Sequence, residues 1–340
     1  MGNIIMFSDG FIDEVWEPVD SRASLTEYKT VGKMTQFGQR IMDVGSGGMG
    51  IELVKKRRNY GGFCANIGCA TAKLGIKTTM VGLFGNGQID PVFAPVEKVA
   101  RMITIGDAAV THILEFDDGK IMMTHMSAAM EIDWTRLVNE LGTAKIVELI
   151  TEADIIGIGY WSILADFDNI VTQICANMPQ DGKQRRLFFD FADVRKRDVE
   201  SLRQTFECLK AIKIPTILSV NEHEGADIFV LCNETLDDTG RSIPEKTEDV
   251  RSKLGLTELV IHTPHYAAAA SATEKAAIVS QNFCEKPVRT TGAGDTFNGG
   301  YLSALLAGSC IEERLRAANT AVSYFLNTGQ VPELEQNILK

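Results

Sequence analysis

The run Thr290-Thr291-Gly292-Ala293-Gly294-Asp295-Thr296-Phe297-Asn298-Gly299-Gly300 sets a carboxylate at the start of a helix, directly after two glycines. Gly292 and Gly294 lack Cβ, so the backbone can turn tightly there and let a polyphosphate come close. The N–H groups of a first helical turn have no intrahelical partner, and the helix dipole favours negative charge at that end. An acid in a nest suited to anions needs a reason. Taking the proton from a hydroxyl that attacks a bound phosphoryl group is one. An isolated G-x-G-D is more often an Asp cap after a glycine turn, so the case rests on whether other motifs agree.

Three others do. Asp13 follows the first strand closely, and Gly61-Gly62-x-x-x-Asn66 opens a helix with a carboxamide one turn in. A carboxylate and a carboxamide can both grip vicinal hydroxyls, because each hydroxyl donates and accepts. Asn221-Glu222-His223-Glu224 follows an apolar strand, at the edge where open parallel sheets bind ligands. Glu224 there could order Mg²⁺ through water, since Mg²⁺ dehydrates reluctantly. Taken singly, each has a plain alternative as a surface acid, a locally satisfied helix amide or a helix start.

Gly45-Ser46-Gly47-Gly48-Met49-Gly50 satisfies G-x-G-x-x-G, and Ile41-Met42-Asp43-Val44 before it has strand character. A dinucleotide site also needs a substantial helix, a second strand and an acid about twenty residues on. Residues 65–75 contain no Asp or Glu, so the run is expected to be a turn between strands, and an NAD-dependent dehydrogenase is disfavoured. Lys55-Lys56-Arg57-Arg58 reads as a solvated face that could also help hold an anion. His262 and His265 have no Cys or carboxylate at ligand spacing and are expected to be buried, hydrogen-bonded histidines.

The elements that must carry these residues alternate. Asn3 to Phe7, Lys77 to Leu83, Ile155 to Ile158, Leu187 to Phe191, Thr216 to Val220 and Leu259 to His262 are short apolar strands. Helical patterns lie over 61–74, 167–178, 198–211, 222–231, 245–254, 294–307 and 311–326. Such alternation predicts an α/β fold, a mostly parallel doubly wound sheet in three layers. From Glu14 to Tyr60 the chain is polar and glycine-rich without a convincing helix, which suggests a small β appendage. His112 to Phe116 and Lys120 to Met123, around Asp117-Asp118-Gly119, form a hairpin that can join it. The expected division is a core of residues 1–13, 61–110 and 125–340 with a lid of 14–60 and 111–124 threaded between its parts.

The 340 residues are 45% hydrophobic and 23% charged, and the net charge is −11. That balance argues against non-specific nucleic-acid or anionic-membrane binding, though not against a locally basic site. Seven Cys without framework spacing suggest reduced thiols and a cytoplasmic location, with Cys64 and Cys69 as small core residues. No apolar run approaches membrane-spanning length, and the start of the chain does not read as a signal peptide.

Together and in this order, these motifs resemble the PfkB/ribokinase family of sugar and nucleoside kinases, over about residues 3 to 330. Thr291-Gly292-Ala293-Gly294-Asp295-Thr296-Phe297-x-Gly299 is similar to its C-terminal signature, and Gly61-Gly62-x-x-x-Asn66 to its N-terminal one. The resemblance implies a ribokinase-like fold with Asp295 as catalytic base and the Gly292, Ala293 and Gly294 backbone as anion hole. It implies Asp13, Gly61, Gly62 and Asn66 at the acceptor. Asn221, Glu224, His262, Thr263 and Asn319 would stand at the nucleotide, and Glu224 would hold Mg²⁺ through water. The β appendage would be a lid that excludes water, and an apolar lid face could pair two copies.

Two departures from the family stand out. Three residues before the first glycine of the signature the family usually has an Asp that helps bind a monovalent cation; here it is Arg289. A guanidinium cannot ligate K⁺ but carries its charge, so K⁺ is not expected. Where the family commonly shows a G-x-x-G turn after the strand, this chain has His262-Thr263-Pro264-His265-Tyr266 and four alanines. That stretch, with His112-Ile113-Leu114-Glu115-Phe116, is similar to the ADP-dependent sugar kinases, which keeps ADP open beside ATP as donor. The implied function is phosphoryl transfer from a nucleotide to a hydroxyl of a small carbohydrate. A nucleoside kinase, or a catalytically weak sugar- or nucleotide-binding protein, are the alternatives.

Overall fold

The computed structural model describes residues 2–237 and 239–334. Its larger sheet has nine strands: β1 (Asn3–Phe7), β5 (Lys77–Gly82), β6 (Arg101–Thr104), β9 (Ile155–Gly159), β10 (Arg186–Asp190), β11 (Thr216–Asn221), β12 (Glu258–His262), β13 (Tyr266–Ser271) and β14 (Ala277–Ser280). Their order is β14-β13-β12-β11-β10-β9-β1-β5-β6, parallel from β12 to β6 and antiparallel at β13 and β14. Ile5 and Phe7 of β1 enter one hydrophobic core, Ile4 and Met6 the other. This two-residue alternation, apolar on both sides, is why the inner strands read as unbroken apolar runs. The helices Phe63–Lys73, Ala293–Leu306 and Ile311–Thr328 cover one face, and Phe167–Ala176, Val199–Ala211 and Glu222–Leu231 the other.

Register aligns the strand ends. Phe7 pairs with both Val81 and Ile158, Asp190 with both Gly159 and Ser219, and Asn221 with His262. Asp9, Tyr160, Asp190, Asn221 and His262 therefore stand along one carboxyl edge of the sheet, where parallel sheets carry ligands.

The smaller sheet comprises β2 (Phe11–Arg22), β3 (Tyr28–Thr30), β4 (Leu53–Gly61), β7 (Ala109–Phe116) and β8 (Gly119–His125). Its order is β3-β2-β7-β8, with β4 also on β2. The expected hairpin is β7–β8, and its β7 runs parallel to β2. Because β2 begins only four residues after β1 ends, the chain passes from one sheet to the other within a short turn. Asp13 lies on the smaller sheet.

Several expectations change. The segment expected to lack a helix contains one, Met34–Val44, which docks Phe37 with Val31, Leu114 and Phe116 against the smaller sheet. Phe37 is its one buried residue; Met34, Phe37, Ile41 and Val44 do fall at helical spacing, but Gly38 and the glycine run from Gly45 on mask that stripe in a polar segment. Ile41 to Val44 close that helix and are not a strand, so the Gly45–Gly50 run joins a helix to β4. The alanines 267–270 are fully buried strand, and two helices, Trp134–Leu141 and Thr143–Glu152, precede β9. The last six residues of the expected core, 335–340, lie outside the described residues. No described helix is long and apolar enough to cross a membrane.

Candidate active site

Gly292 has φ +93° and caps the helix Ala293–Leu306, a left-handed conformation that a side chain would strain. Its carbonyl accepts from both the backbone N–H (3.0 Å) and the hydroxyl (2.9 Å) of Thr296. The Ala293 N–H is turned back onto the Thr290 carbonyl at 3.0 Å. Among the described residues, no backbone acceptor takes the N–H of Gly294 or Asp295. Nor does one take the N–H of Gly292, so of the expected nest at Gly292, Ala293 and Gly294 only the Ala293 N–H is already engaged.

Asp295 is 8% exposed. Its Oδ1 accepts from the Tyr160 hydroxyl and its Oδ2 from Asn66 Nδ2, each at 2.9 Å. Burial pushes its carboxyl up to about 6, against the pull of these two bonds and the nearby Arg289 charge. Tyr160 is itself raised far above the usual phenol value, first by burial, and serves as a neutral donor. Asn298, one turn along the helix, donates to Asp190 (2.9 Å) and accepts from Ser219 (2.6 Å). These two buried bonds pin the helix to the ends of β10 and β11.

Asn66 is placed by a contact that spacing did not reveal. Asp9, at the end of β1, accepts from the Phe63 N–H at 2.9 Å and holds the start of the helix Phe63–Lys73. Gly62 has φ +90°, and a Cβ there would stand 2.6 Å from Asp9 Oδ1, so glycine is required. Asp9 is fully buried and its carboxyl is raised, first by burial. Backbone at Gly61 passes so near Asp13 that an added Cβ would lie 3.0 Å from its Oδ2. Neither Asp9 nor Tyr160 belongs to a recognisable local pattern.

Two cavities meet at the glycine turn. One, of about 520 Å³, is lined by Asn221, His262, Thr263, Phe297, Asn319 and Gly294, among others. The second, of about 690 Å³, lies between the smaller sheet and the segment that leads into the glycine turn, with Asp13, Arg57, Glu115, Lys120, Arg289 and Thr291 on its walls. Thr290 lines both. The Asp13 carboxyl is raised by burial, which the Arg289 and Lys120 charges oppose.

The remaining expected residues sort themselves. Asn221 caps the helix Glu222–Leu231, and both Glu224 oxygens are bonded back to Asn221, at 3.0 and 2.6 Å. Burial lifts Glu224 to about 7, and it lifts Asp190 well above the carboxylate range; nearby carboxylates, Asp295 among them, add to both. Among the described residues, no three His, Cys, Asp or Glu could ligate a metal together. The dispersed carboxylates Asp190, Glu224 and Asp295 suit a hydrated divalent cation held on donor phosphates, which is how Mg²⁺ is usually bound. His262 is half-buried, not buried and hydrogen-bonded as expected: it packs on Phe297 (4.8 Å between ring centres), its ring has no hydrogen-bond partner among the described residues, and desolvation lowers it to about 4. His265 is exposed and stacked on Phe283, contrary to the expectation of a buried, hydrogen-bonded ring. Asn319 donates to the Ser280 carbonyl at 3.2 Å. Lys55, Lys56, Arg57 and Arg58 are each paired with acids, namely Glu14, Glu17, Glu115 and Asp90.

Relatives agree with this frame. A ketohexokinase from Haloferax volcanii is 26% identical over 344 residues, covering 98% of this chain and 89% of its own. A ribokinase from Arabidopsis thaliana, solved with ribose and ATP, superposes with TM-score 0.67 at 20% identity, over 100% of this chain and 99% of that one. An Escherichia coli chain assigned as ribokinase II, in complex with ATP and Mg²⁺, matches at TM-score 0.67 and 12% identity, over 99% and 98% of the two chains. The model of the prokaryotic ketohexokinase family matches residues 1–339, so the chain belongs to that family and is a carbohydrate kinase of the PfkB/ribokinase type.

Proposed function

We propose that this kinase transfers the γ-phosphoryl group of ATP to a hydroxyl of a ketohexose, with Asp295 as general base. The observation that carries the reading is the buried Asp295, raised to about 6 and bonded to Tyr160 and Asn66, directly after Gly294, which lines the first of the two cavities. A base with that value is ionised at neutral pH and still a competent proton acceptor. The acceptor oxygen gives its proton to Asp295 and forms a bond to phosphorus as the β–γ bridging oxygen leaves. The open N–H groups of Gly294 and Asp295 face the charge that develops on the phosphoryl oxygens.

The cavity lined by His262, Phe297 and Asn319 takes the nucleotide, with Asn221 and Thr263 at its rim. Asp13, Gly61, Gly62 and Asn66 hold the sugar hydroxyls. Glu224 would order the water of a Mg²⁺ held on the donor phosphates, an ion that would supply charge neutralisation there. The relatives solved with ATP support this choice of donor over ADP. The smaller sheet closes over the sugar and keeps water from the donor.

A mass-spectrometric screen of ketohexoses, other sugars, sugar acids, phosphosugars and nucleosides with Mg²⁺ and either ATP or ADP tests the reading. The expected product is a ketohexose phosphate formed with ATP and absent with Asp295→Asn. A nucleotide product, or turnover surviving in the variant, would overturn it.

A further inference from the structure

The acceptor-side cavity holds a guanidinium that the proposed reaction has not yet used. Arg289 is half-buried, and its side chain lies against Phe325, 5.4 Å from guanidinium carbon to ring centre. Among the described residues no carboxylate forms a hydrogen bond or ion pair with it. The other cations on that cavity wall are engaged: Arg57 is bonded to Glu115 at 2.6 Å, and Lys120 to the Thr291 hydroxyl at 2.5 Å. Asp13 feels the Arg289 charge without bonding to it.

The head group of Arg289 lies beside the glycine turn that leads into Asp295. Its Nη2 lies 3.9 Å from where a Cβ on Gly292 would stand, and Asn66 Nδ2 lies 3.9 Å from the same spot. Asn66 in turn donates to Asp295. One face of the guanidinium is covered by Phe325, which leaves its N–H edge for a ligand. A planar fork of donors matches two oxygens of a phosphate and is poorly spent on a neutral hydroxyl.

Arg289 also stands on one side only. It lines the cavity that contains Asp13, whereas the walls of the donor cavity do not include it. The phosphoryl group ends on an oxygen that has given its proton to Asp295, so it finishes beside Asp295 and Gly292, within reach of that fork. We infer that Arg289 is a further catalytic residue, which grips the phosphoryl group on the acceptor side and holds the ester phosphate of the product. This inference rests on the reading of Asp295 as base.

The experiment is a calorimetric titration of wild type, Arg289→Gln and Arg289→Lys with fructose, fructose 1-phosphate and fructose 6-phosphate, alongside turnover of these proteins and of Asp295→Asn. For Arg289→Gln we expect at least one phosphate ester to bind about tenfold or more weakly, while fructose changes little. Arg289→Lys, which keeps the charge and loses the fork, should fall between, and it carries the test if the Gln variant does not fold. Equal loss for fructose and both esters, no loss, or no binding of either ester to wild type would overturn the inference. Turnover retained in Asp295→Asn, with the ester effect intact, would remove the base and leave Arg289 as a phosphate ligand. Turnover lost there, without an ester effect, would sink only the role of Arg289.

Discussion

The two cavities that meet at Thr290 are built from opposite materials. The cavity proposed for the donor is walled mainly by Phe297, His262, Val322, Leu326 and Pro264, with Glu222 and Glu285 as its charged side chains, and the half-buried His262 is held neutral, with a value of about 4. The acceptor side is walled by Asp13, Arg57, Glu115, Lys120 and Arg289. A nucleotide brings its own charge and its own Mg²⁺, so the protein needs mainly shape and backbone on that side. A sugar brings only hydroxyls, which must be told apart by groups that donate and accept in fixed directions.

Substitution of Asp295 should have the largest effect. Asp295→Asn should lower turnover by roughly a thousandfold, read in a coupled kinase assay. The same variant should melt no lower than wild type at pH 7 to 8. The Asp295 carboxyl is raised from 3.8 to about 6 in the folded chain, so native protein binds that proton more tightly than the unfolded chain does. The contribution of Asp295 to stability is therefore most favourable below the unfolded value and is lost as pH rises through about 6. A large loss of melting temperature at pH 8 would mean that the ionised carboxylate holds the fold, contrary to this account.

The acceptor side is broken more gently at Asn66. Asn66→Ala removes one bond to the ionised Asp295 and should cut turnover about tenfold. It should also shift the acid limb of the rate profile. In wild type, turnover should fall tenfold per pH unit below about 6, as Asp295 is protonated. Losing a donor to the charged form raises that value, so the limb should move to higher pH in the variant. An unmoved limb would show that another group titrates.

On the donor side, His262→Ala should raise the KM for ATP several-fold and leave the sugar KM and kcat nearly unchanged, because a neutral ring supplies binding surface and no charge. A fall in kcat without a change in KM would assign the ring to the transition state. The smallest expected effect is that of K⁺. With Arg289 in place of the family's Asp, exchange of K⁺ for Na⁺ at equal ionic strength should leave turnover as it is. Several-fold activation by K⁺ would bring a cation back to the glycine turn.

Much of this was written in short stretches of the chain. Gly292 to Asp295 and Gly61 to Asn66 are legible because a tight turn followed by a helix start is local chemistry, decided within a few residues. The strand–helix alternation is legible for the same reason, as is the β7–β8 hairpin. The helix Met34–Val44 was not, because its stripe of Met34, Phe37, Ile41 and Val44 is interrupted by Gly38 and set among glycine-rich, polar turns.

The sequence by itself therefore determined the fold class, the position of the acid at a helix start and the type of reaction that such a nest serves. Only the tertiary structure decided what surrounds that acid. Tyr160 and Asn66 lie 135 and 229 residues from Asp295 along the chain, and strand register brings them to it. Asp9 reaches the helix of Asn66 only because β1 ends beside it, and Arg289 lies against Phe325, a residue of the last described helix. Local propensities fix elements within a few residues. The alignment of nine strand ends fixes which distant side chains share one site.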